Sequence, residues 1–274
     1  MYKLIAIDLD GTLLDKNKTI SNENSKAIKE ACEKGIDVVI CSGRIYKGAM
    51  IFARMLGLKS EVISCNGAII RDSTTGHTIF SKNIDVQDSL KILDFLSNAN
   101  VYYHAYVLDT MFAKERGYGT VFYENINMTM PDEHKIDIHS LDGLEELIVN
   151  EKKGVTKFVV ASNNLEYLAE VRHKINCMAD VSSMSSNYDN FEVVKKGVSK
   201  GDALRILCDI KDIKPGEVIA IGDNENDLSM FEFAGTSVAM GNASDYIKSC
   251  ADFVTLSNDE CGVAHAIYKF VFKR

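Results

Sequence analysis

The sequence predicts an α/β chain: a parallel sheet with helical crossovers, interrupted by an inserted α+β segment. Three observations predict it. Apolar runs alternate with helix-period segments toward both ends of the chain, four of those runs stop in a polar cluster, and the alternation gives way to a mixed order between them. The boundaries drawn from this pattern are residues 1–82 and 188–274 for the parallel-sheet part and 83–187 for the insertion.

Leu4 to Ile7 is a short apolar run bounded by Asp8-Leu9-Asp10-Gly11-Thr12, the pattern of a buried strand ending in a turn. Ser21 and Asn22 precede a segment with Ala27, Ile28, Ala31 and Cys32 on one helical face, and Gly35 marks its stop. A second strand, Ile36 to Cys41, ends in Ser42-Gly43-Arg44, and a helix follows to about Leu56. The third strand, Val62 to Cys65, ends in Asn66-Gly67. Beyond it, Ala68-Ile69-Ile70 and His77-Thr78-Ile79-Phe80 flank Thr75-Gly76 as in a hairpin.

After a short linker, Ser81-Lys82-Asn83, the insertion reads as a helix from Asp85 to Asn98, strands at Val101–Tyr106 and Met111–Lys114, and a helix from Leu141 to Val149. A strand at Lys157–Ala161, a helix from Leu165 to Ile175 and a strand near Ala179–Ser183 complete it, and the polar stretch 185–190 closes it. The first pattern then resumes. A helix from Ser199 to about Lys211 leads to the strand Val218–Ile221, which ends in Gly222-Asp223-Asn224-Glu225-Asn226-Asp227. A strand at Ser237–Met240, a helix from Ser244 to Cys250, the pair Phe253-Val254 and a helix from Gly262 finish the chain.

Composition narrows the function. With 46% hydrophobic and 26% charged residues the chain has the make-up of a globular protein. Its net charge of −8, without a basic block, excludes a nucleic-acid backbone binder, whose affinity is built from clustered Lys and Arg. No apolar run approaches the ~18 residues of a membrane span, so no membrane partner is expected. Seven cysteines at 32, 41, 65, 177, 208, 250 and 261 show neither CxxC nor zinc spacing and read as reduced thiols. The cytoplasm is the expected compartment. The six histidines form no ligand pattern and are expected at the surface. Tyr102, Tyr103 and Tyr106 of the insertion read as packing residues, with stacking on a ligand as the alternative.

The chemistry gathers at the strand ends. Residues i and i+2 of an extended chain point to the same side, so Asp8 and Asp10 converge and need a cation, a proton or a donor-rich partner. In open α/β sheets the carboxyl ends of the strands share one edge, which brings together Asp8/Asp10, Ser42/Gly43, Asn66/Gly67 and Asp223/Asn226/Asp227. Several carboxylates at one edge cannot all stay ionised without a counter-charge, and an all-oxygen site of this kind suits Mg²⁺. The Ser42 hydroxyl, the Gly43 N–H at a helix start and the Lys200 ammonium are donors that a phosphoryl group requires. Singly, each has a plainer explanation: Ser42 as a helix cap, Lys200 as a surface lysine, Asn66-Gly67 as a turn. Their joint placement favours a site.

These motifs, together with Gly197-Val198-Ser199-Lys200-Gly201, resemble those of the haloacid dehalogenase superfamily of phosphatases, in particular the Cof-type branch (subfamily IIB). The resemblance implies a Rossmann-like core, with residues 83–187 as an inserted α+β cap that sets specificity. It implies that Asp8 is the nucleophile, forming an aspartyl-phosphate, and that Asp10 is the general acid and base. Asp8, the Asp10 carbonyl and Asp223 would hold Mg²⁺, with Asp227 in support. Leu9 N–H, Ser42, Gly43, Lys200 and Asn226 would contact the phosphate, and Arg44 and Asn66 are candidate substrate contacts. The expected partner is a small phosphate ester. A phosphomutase with the same nucleophile and a non-catalytic phospho-acceptor module remain alternatives, the second weakened by the size of the insertion and by Asp10.

Overall fold

In the computed structural model, which describes residues 1–107, 109–128 and 130–274, the run Leu4–Ile7 forms strand β1, buried along its whole length. It is followed by α1 (Asn22–Glu33), β2 (Asp37–Cys41), α2 (Tyr46–Met55), β3 (Glu61–Ser64), β4 (Ile69–Asp72) and β5 (Thr78–Ser81). Next come α3 (Val86–Ser97), β6 (Tyr102–Val107), β7 (Thr110–Ala113), α4 (Tyr118–Asn127), β8 (Asp137–Ser140) and α5 (Leu144–Glu151). β9 (Lys157–Ala161), α6 (Leu165–Met178), β10 (Val181–Met184) and β11 (Asn190–Lys195) complete the insertion. The last stretch holds α7 (Lys200–Lys211), β12 (Val218–Gly222), α8 (Leu228–Phe233), β13 (Thr236–Ala239), α9 (Asp245–Ser249), β14 (Phe253–Val254) and α10 (Gly262–Ile267). No helix among the described residues is long and apolar enough to cross a membrane. All seven cysteines are free thiols.

The chain divides into two units, one of residues 1–44, 49–80 and 199–274, the other of 45–48 and 81–198. In the first, eight strands run in the order β14-β13-β12-β1-β2-β3-β4-β5. β14 to β3 pair in parallel, and β4 turns antiparallel to β3. Leu4 and Ala6 face a core shared with Leu204 and Leu207 of α7, and the pleat sends Ile5 and Ile7 to the other side. Burial of each Leu or Ile of β1 stabilises the fold by roughly 1.5–3 kcal/mol. β1 sits where the strand order reverses: β2 and β3 build outward on one side, β12 and β13 on the other. A crevice opens at such a switch point beyond the carboxyl ends of the strands, and Asp8 is the first residue past that end.

The second unit has its own sheet, ordered β10-β11-β9-β6-β7-β8 and antiparallel except between β7 and β8. One face packs Tyr103, Ala105, Phe158, Val160, Phe191 and Val193 against Ile92, Leu96, Ile148, Val171 and Ile175 of α3, α5 and α6. The boundary differs from the sequence expectation. Residues 188–198 do not return to the first sheet at the polar stretch 185–190, because β11 pairs with both β10 and β9, and the inserted unit runs to Val198. α4 and β8 were not anticipated either. α4 carries Gly119 and β-branched residues, poor helix formers, and three of the four residues of β8 are exposed, which leaves no alternation to read. His104, expected at the surface, is buried on the second face of β6. Tyr102, Tyr103 and Tyr106 are buried packing residues.

Candidate active site

The site is built from the loops that follow β1, β2, β3 and β12 and from the first turn of α7, all within one unit. The Asp8 N–H still donates to Ile221 O, 3.0 Å away, so the β1–β12 ladder fixes the backbone that carries the first carboxylate. Ser199 caps α7, its hydroxyl accepting the Asp202 N–H at 3.0 Å, and so places Lys200 in the first turn. The Lys200 side chain is fully buried, with its ammonium 2.5 Å from Asp8 Oδ1 and 2.6 Å from Asp227 Oδ1. Asp227 Oδ2 accepts the N–H groups of Asp223 and Asn224 at 2.9 and 3.1 Å, which fold the loop after β12 back on itself.

Asp223 stands close by, its Oδ1 accepting the Thr12 hydroxyl at 2.7 Å. Gly11 makes the approach possible: its φ of +82° is unfavourable for a side chain, and a Cβ there would collide with Asp223 Oδ2. Oxygen atoms of Asp8, Asp223 and Asp227 all fall within 4.8 Å of one another. The Lys200 ammonium faces three carboxylates, and the protonation equilibria reflect the imbalance. Burial, then repulsion from Asp227 and Asp223, raises Asp8 well above the usual carboxylate range despite Lys200. Burial and Asp227 push Asp223 up to about 7, against the Thr12 hydrogen bond. Burial alone would lower the Lys200 pKa, but Asp227 and Asp8 outweigh it and raise it. Three clustered oxygen donors short of positive charge fit a hard divalent cation.

Asp10 has a different setting. Its carboxylate takes a two-point contact from Arg44, Nε to Oδ2 at 2.6 Å and Nη2 to Oδ1 at 2.7 Å, and a third from Lys18 at 2.8 Å. Burial opposes ionisation here too, but Arg44 and Lys18 prevail and hold the group well below the ordinary carboxylate range. Arg44 is buried, with its guanidinium carbon 5.0 Å from the centroid of Phe52. Leu9, between the two aspartates, is fully buried.

Ser42 is buried, and its hydroxyl accepts the Arg44 N–H at 3.2 Å, a local turn instead of a helix cap. Gly43 lies in a bend and α2 begins only at Tyr46, so the Gly43 N–H is not in the first turn of the helix as anticipated. Asn66 is fully buried and accepts a hydrogen bond from Asn226 Nδ2 at 3.2 Å. The strand-end residues named from the sequence therefore collect around one crevice. Sequence reasoning overlooked Thr12 and Lys18. Thr12 belongs to the motif that flagged the site, but its partner lies 211 positions away, and Lys18 offers no motif.

A buried carboxylate cluster at the switch point of a parallel sheet, served by a buried lysine, is an arrangement that can hold a divalent cation. The chain belongs to the haloacid dehalogenase-like hydrolases, whose family model matches residues 5–267. It is 34% identical to phosphatase YwpJ of Bacillus subtilis over 280 aligned positions, covering 96% of this chain and 98% of the relative. It is 35% identical to the 5-amino-6-(5-phospho-D-ribitylamino)uracil phosphatase YwtE of the same organism, over 97% of this chain and 96% of that one. A solved haloacid dehalogenase-like hydrolase from B. subtilis superposes with a TM-score of 0.86 at 34% identity, over 98% and 99% of the two chains.

Proposed function

We propose that the protein is a Mg²⁺-dependent phosphatase that hydrolyses a small phosphorylated metabolite, a sugar phosphate or a cofactor phosphate, through an aspartyl-phosphate on Asp8. The observation that supports it most is the fully buried Lys200 ammonium, bonded to both Asp8 and Asp227 with Asp223 beside them. Relatives named as phosphatases, among them one for a ribitylaminouracil phosphate, support the substrate class.

In this reading Asp8, the Asp10 carbonyl and Asp223 would hold the cation, with Asp227 in support. Once bound, Mg²⁺ neutralises the carboxylates and the oxygens of the incoming phosphoryl group. An Asp8 carboxylate oxygen attacks phosphorus, and the bond from phosphorus to the ester oxygen breaks. Lys200 favours the ionised form of Asp8 and orients it for that attack. Ser42, Gly43, Asn226 and the Leu9 N–H hold the phosphoryl oxygens. Asp10 donates a proton to the leaving oxygen, then takes one from the water that attacks the phosphoenzyme, releasing inorganic phosphate and restoring Asp8. Its pairing with Arg44 and Lys18 keeps Asp10 ionised, so it must exchange those partners for a proton before it acts as an acid.

Hydrolysis of p-nitrophenyl phosphate with Mg²⁺, followed by a panel of sugar, nucleotide and cofactor phosphates, tests the proposal. Phosphate release that EDTA stops and Asp8→Asn abolishes is expected. Release that survives Asp8→Asn overturns the mechanism, and isomerisation of a sugar phosphate without release identifies a mutase.

A further inference from the structure

The loop after β3 carries three residues in succession with positive φ: Cys65 at 50°, Asn66 at 56° and Gly67 at 95°. Two of them bear side chains, for which this region is unfavourable. The surroundings hold the turn in place. Cys65 N–H donates to Arg44 O at 2.9 Å and Asn66 N–H to Ser42 O at 3.1 Å, so the turn is stitched to the loop after β2. At Gly67 a Cβ would overlap the backbone oxygen of Ser199, the residue that caps α7 and precedes Lys200. The Asn66 side-chain oxygen accepts the Asn226 amide at 3.2 Å, in the loop after β12. One turn thus touches the segments bearing Ser42, Lys200 and Asn226, and Asn66 is fully buried among them.

We infer that Asn66 is a positioning residue rather than a substrate contact: its side-chain oxygen fixes the rotamer of the Asn226 amide that faces the phosphoryl group. The inference rests on the phosphatase reading for the role of Asn226. An amide side chain rotates freely about its terminal torsion and is nearly symmetric in shape, so an unheld Asn presents oxygen as readily as nitrogen. An oxygen turned toward a phosphoryl group repels it. With one Asn226 N–H engaged by Asn66, the amide is held nitrogen-inward and its second N–H stays available as a donor. The left-handed backbone at Asn66 suits this arrangement, since Asn is among the few residues with a side chain that tolerate it.

A double-mutant cycle tests the assignment. Asn66→Gly suits the left-handed backbone and removes the whole buried side chain, so a folded protein with a lowered thermal unfolding midpoint is expected. It should lower kcat/KM for p-nitrophenyl phosphate by about 10- to 100-fold, the range of losses from misplaced groups. Asn226→Ala should show a similar loss, and Asn66→Gly added to Asn226→Ala should cost no more. Additive losses mean that Asn66 acts independently of Asn226 and overturn the inference, as does unchanged kcat/KM in Asn66→Gly. A readout free of turnover separates this from a failure of the functional reading. In ¹⁵N spectra the Asn226 side-chain NH₂ signals should be dispersed and shift on addition of inorganic phosphate, and both features should vanish in Asn66→Gly. Persistence of both in that variant refutes positioning whether or not the wild type hydrolyses an ester.

Discussion

Two buried polar clusters sit on two different sheets of this molecule, and they are balanced in opposite ways. On the second face of the inserted sheet, Lys157 meets Glu192 at 2.8 Å with both side chains buried, and the ammonium lies 5.1 Å from the Tyr106 ring centroid. His104 Nε2 and the Tyr106 hydroxyl are 3.2 Å apart, and burial, aided by Lys157, drives the imidazole down to about 3, so it is neutral. Charge closes within that cluster. At the end of β1, Asp8, Asp223 and Asp227 cluster with Lys200 bonded to two of them, and burial, with the repulsion between the carboxylates, drives Asp8 and Asp223 up. Both clusters bear the desolvation cost of buried charge, but in the second the carboxylates outnumber the cation. Buried charge marks an active site through its imbalance, not through its presence.

The sharpest contrast is catalytic. Asp8→Asn should reduce phosphate release by more than about 10⁴-fold, the scale of nucleophile removal, whereas Lys157→Met combined with Glu192→Leu should leave kcat within a few-fold of wild type. Phosphate assays on both variants decide it. The next difference is one of stability. Lys200→Met removes the cation set among like charges and should cost about 3–5 kcal/mol in urea unfolding without metal. The paired replacement of Lys157 and Glu192 by apolar residues should come close to neutral. A large loss there would mean that the cluster on the inserted sheet is not self-contained.

The pH dependences should carry opposite signs. The folded pKa of Asp223, about 7, lies above the ordinary 3.8, so the native state binds more protons between those values. Its stabilising contribution is complete below about pH 4 and is lost as pH rises through 7. For His104 the folded value of about 3 lies below the ordinary 6.5, so stability is complete above 6.5 and is lost as pH falls toward 3. Thermal melts of the metal-free protein should show the first limb reduced by Asp223→Asn, with Asp8 carrying the remainder, and the second reduced by His104→Gln, with Asp10 carrying part of the remainder. Saturating Mg²⁺ should flatten the first limb alone. The smallest expected effect is that of Thr12→Val, which deletes the hydrogen bond to Asp223 and should cost about 1 kcal/mol with a few-fold loss of activity, measured by the same melts and assays.

The core sheet and the crevice residues were legible in the sequence because both obey short-range rules. Leu4–Ile7, Val38–Cys41 and Val218–Ile221 are apolar runs, and each stops at a cluster of side chains with conspicuous chemistry. Partnership was less legible. Nothing local ties Thr12 to Asp223, Asn226 to Asn66, or Arg44 to Asp10, and each link depends on how the sheet aligns its strands. β11 illustrates the same limit, because Asn190-Phe-Glu-Val-Val-Lys is a strand in either sheet, and only pairing with β9 and β10 decides which. His104 was misplaced because an isolated histidine carries no sign of burial.

Asp8 and Lys200 are 192 positions apart, with the whole inserted unit between them. During synthesis, β1 is made well before β12, its partner on one side. Strand β1 must therefore wait, paired at best with β2, until roughly two hundred further residues have been made and the chain has closed a long loop. A ribosome-bound chain truncated before β12 should retain the apolar strand of an active site but not its full cation chemistry. The lysine, the second and third carboxylates and the Asn226 amide all arrive after the inserted unit, so the site comes into being only when the chain returns to the first sheet.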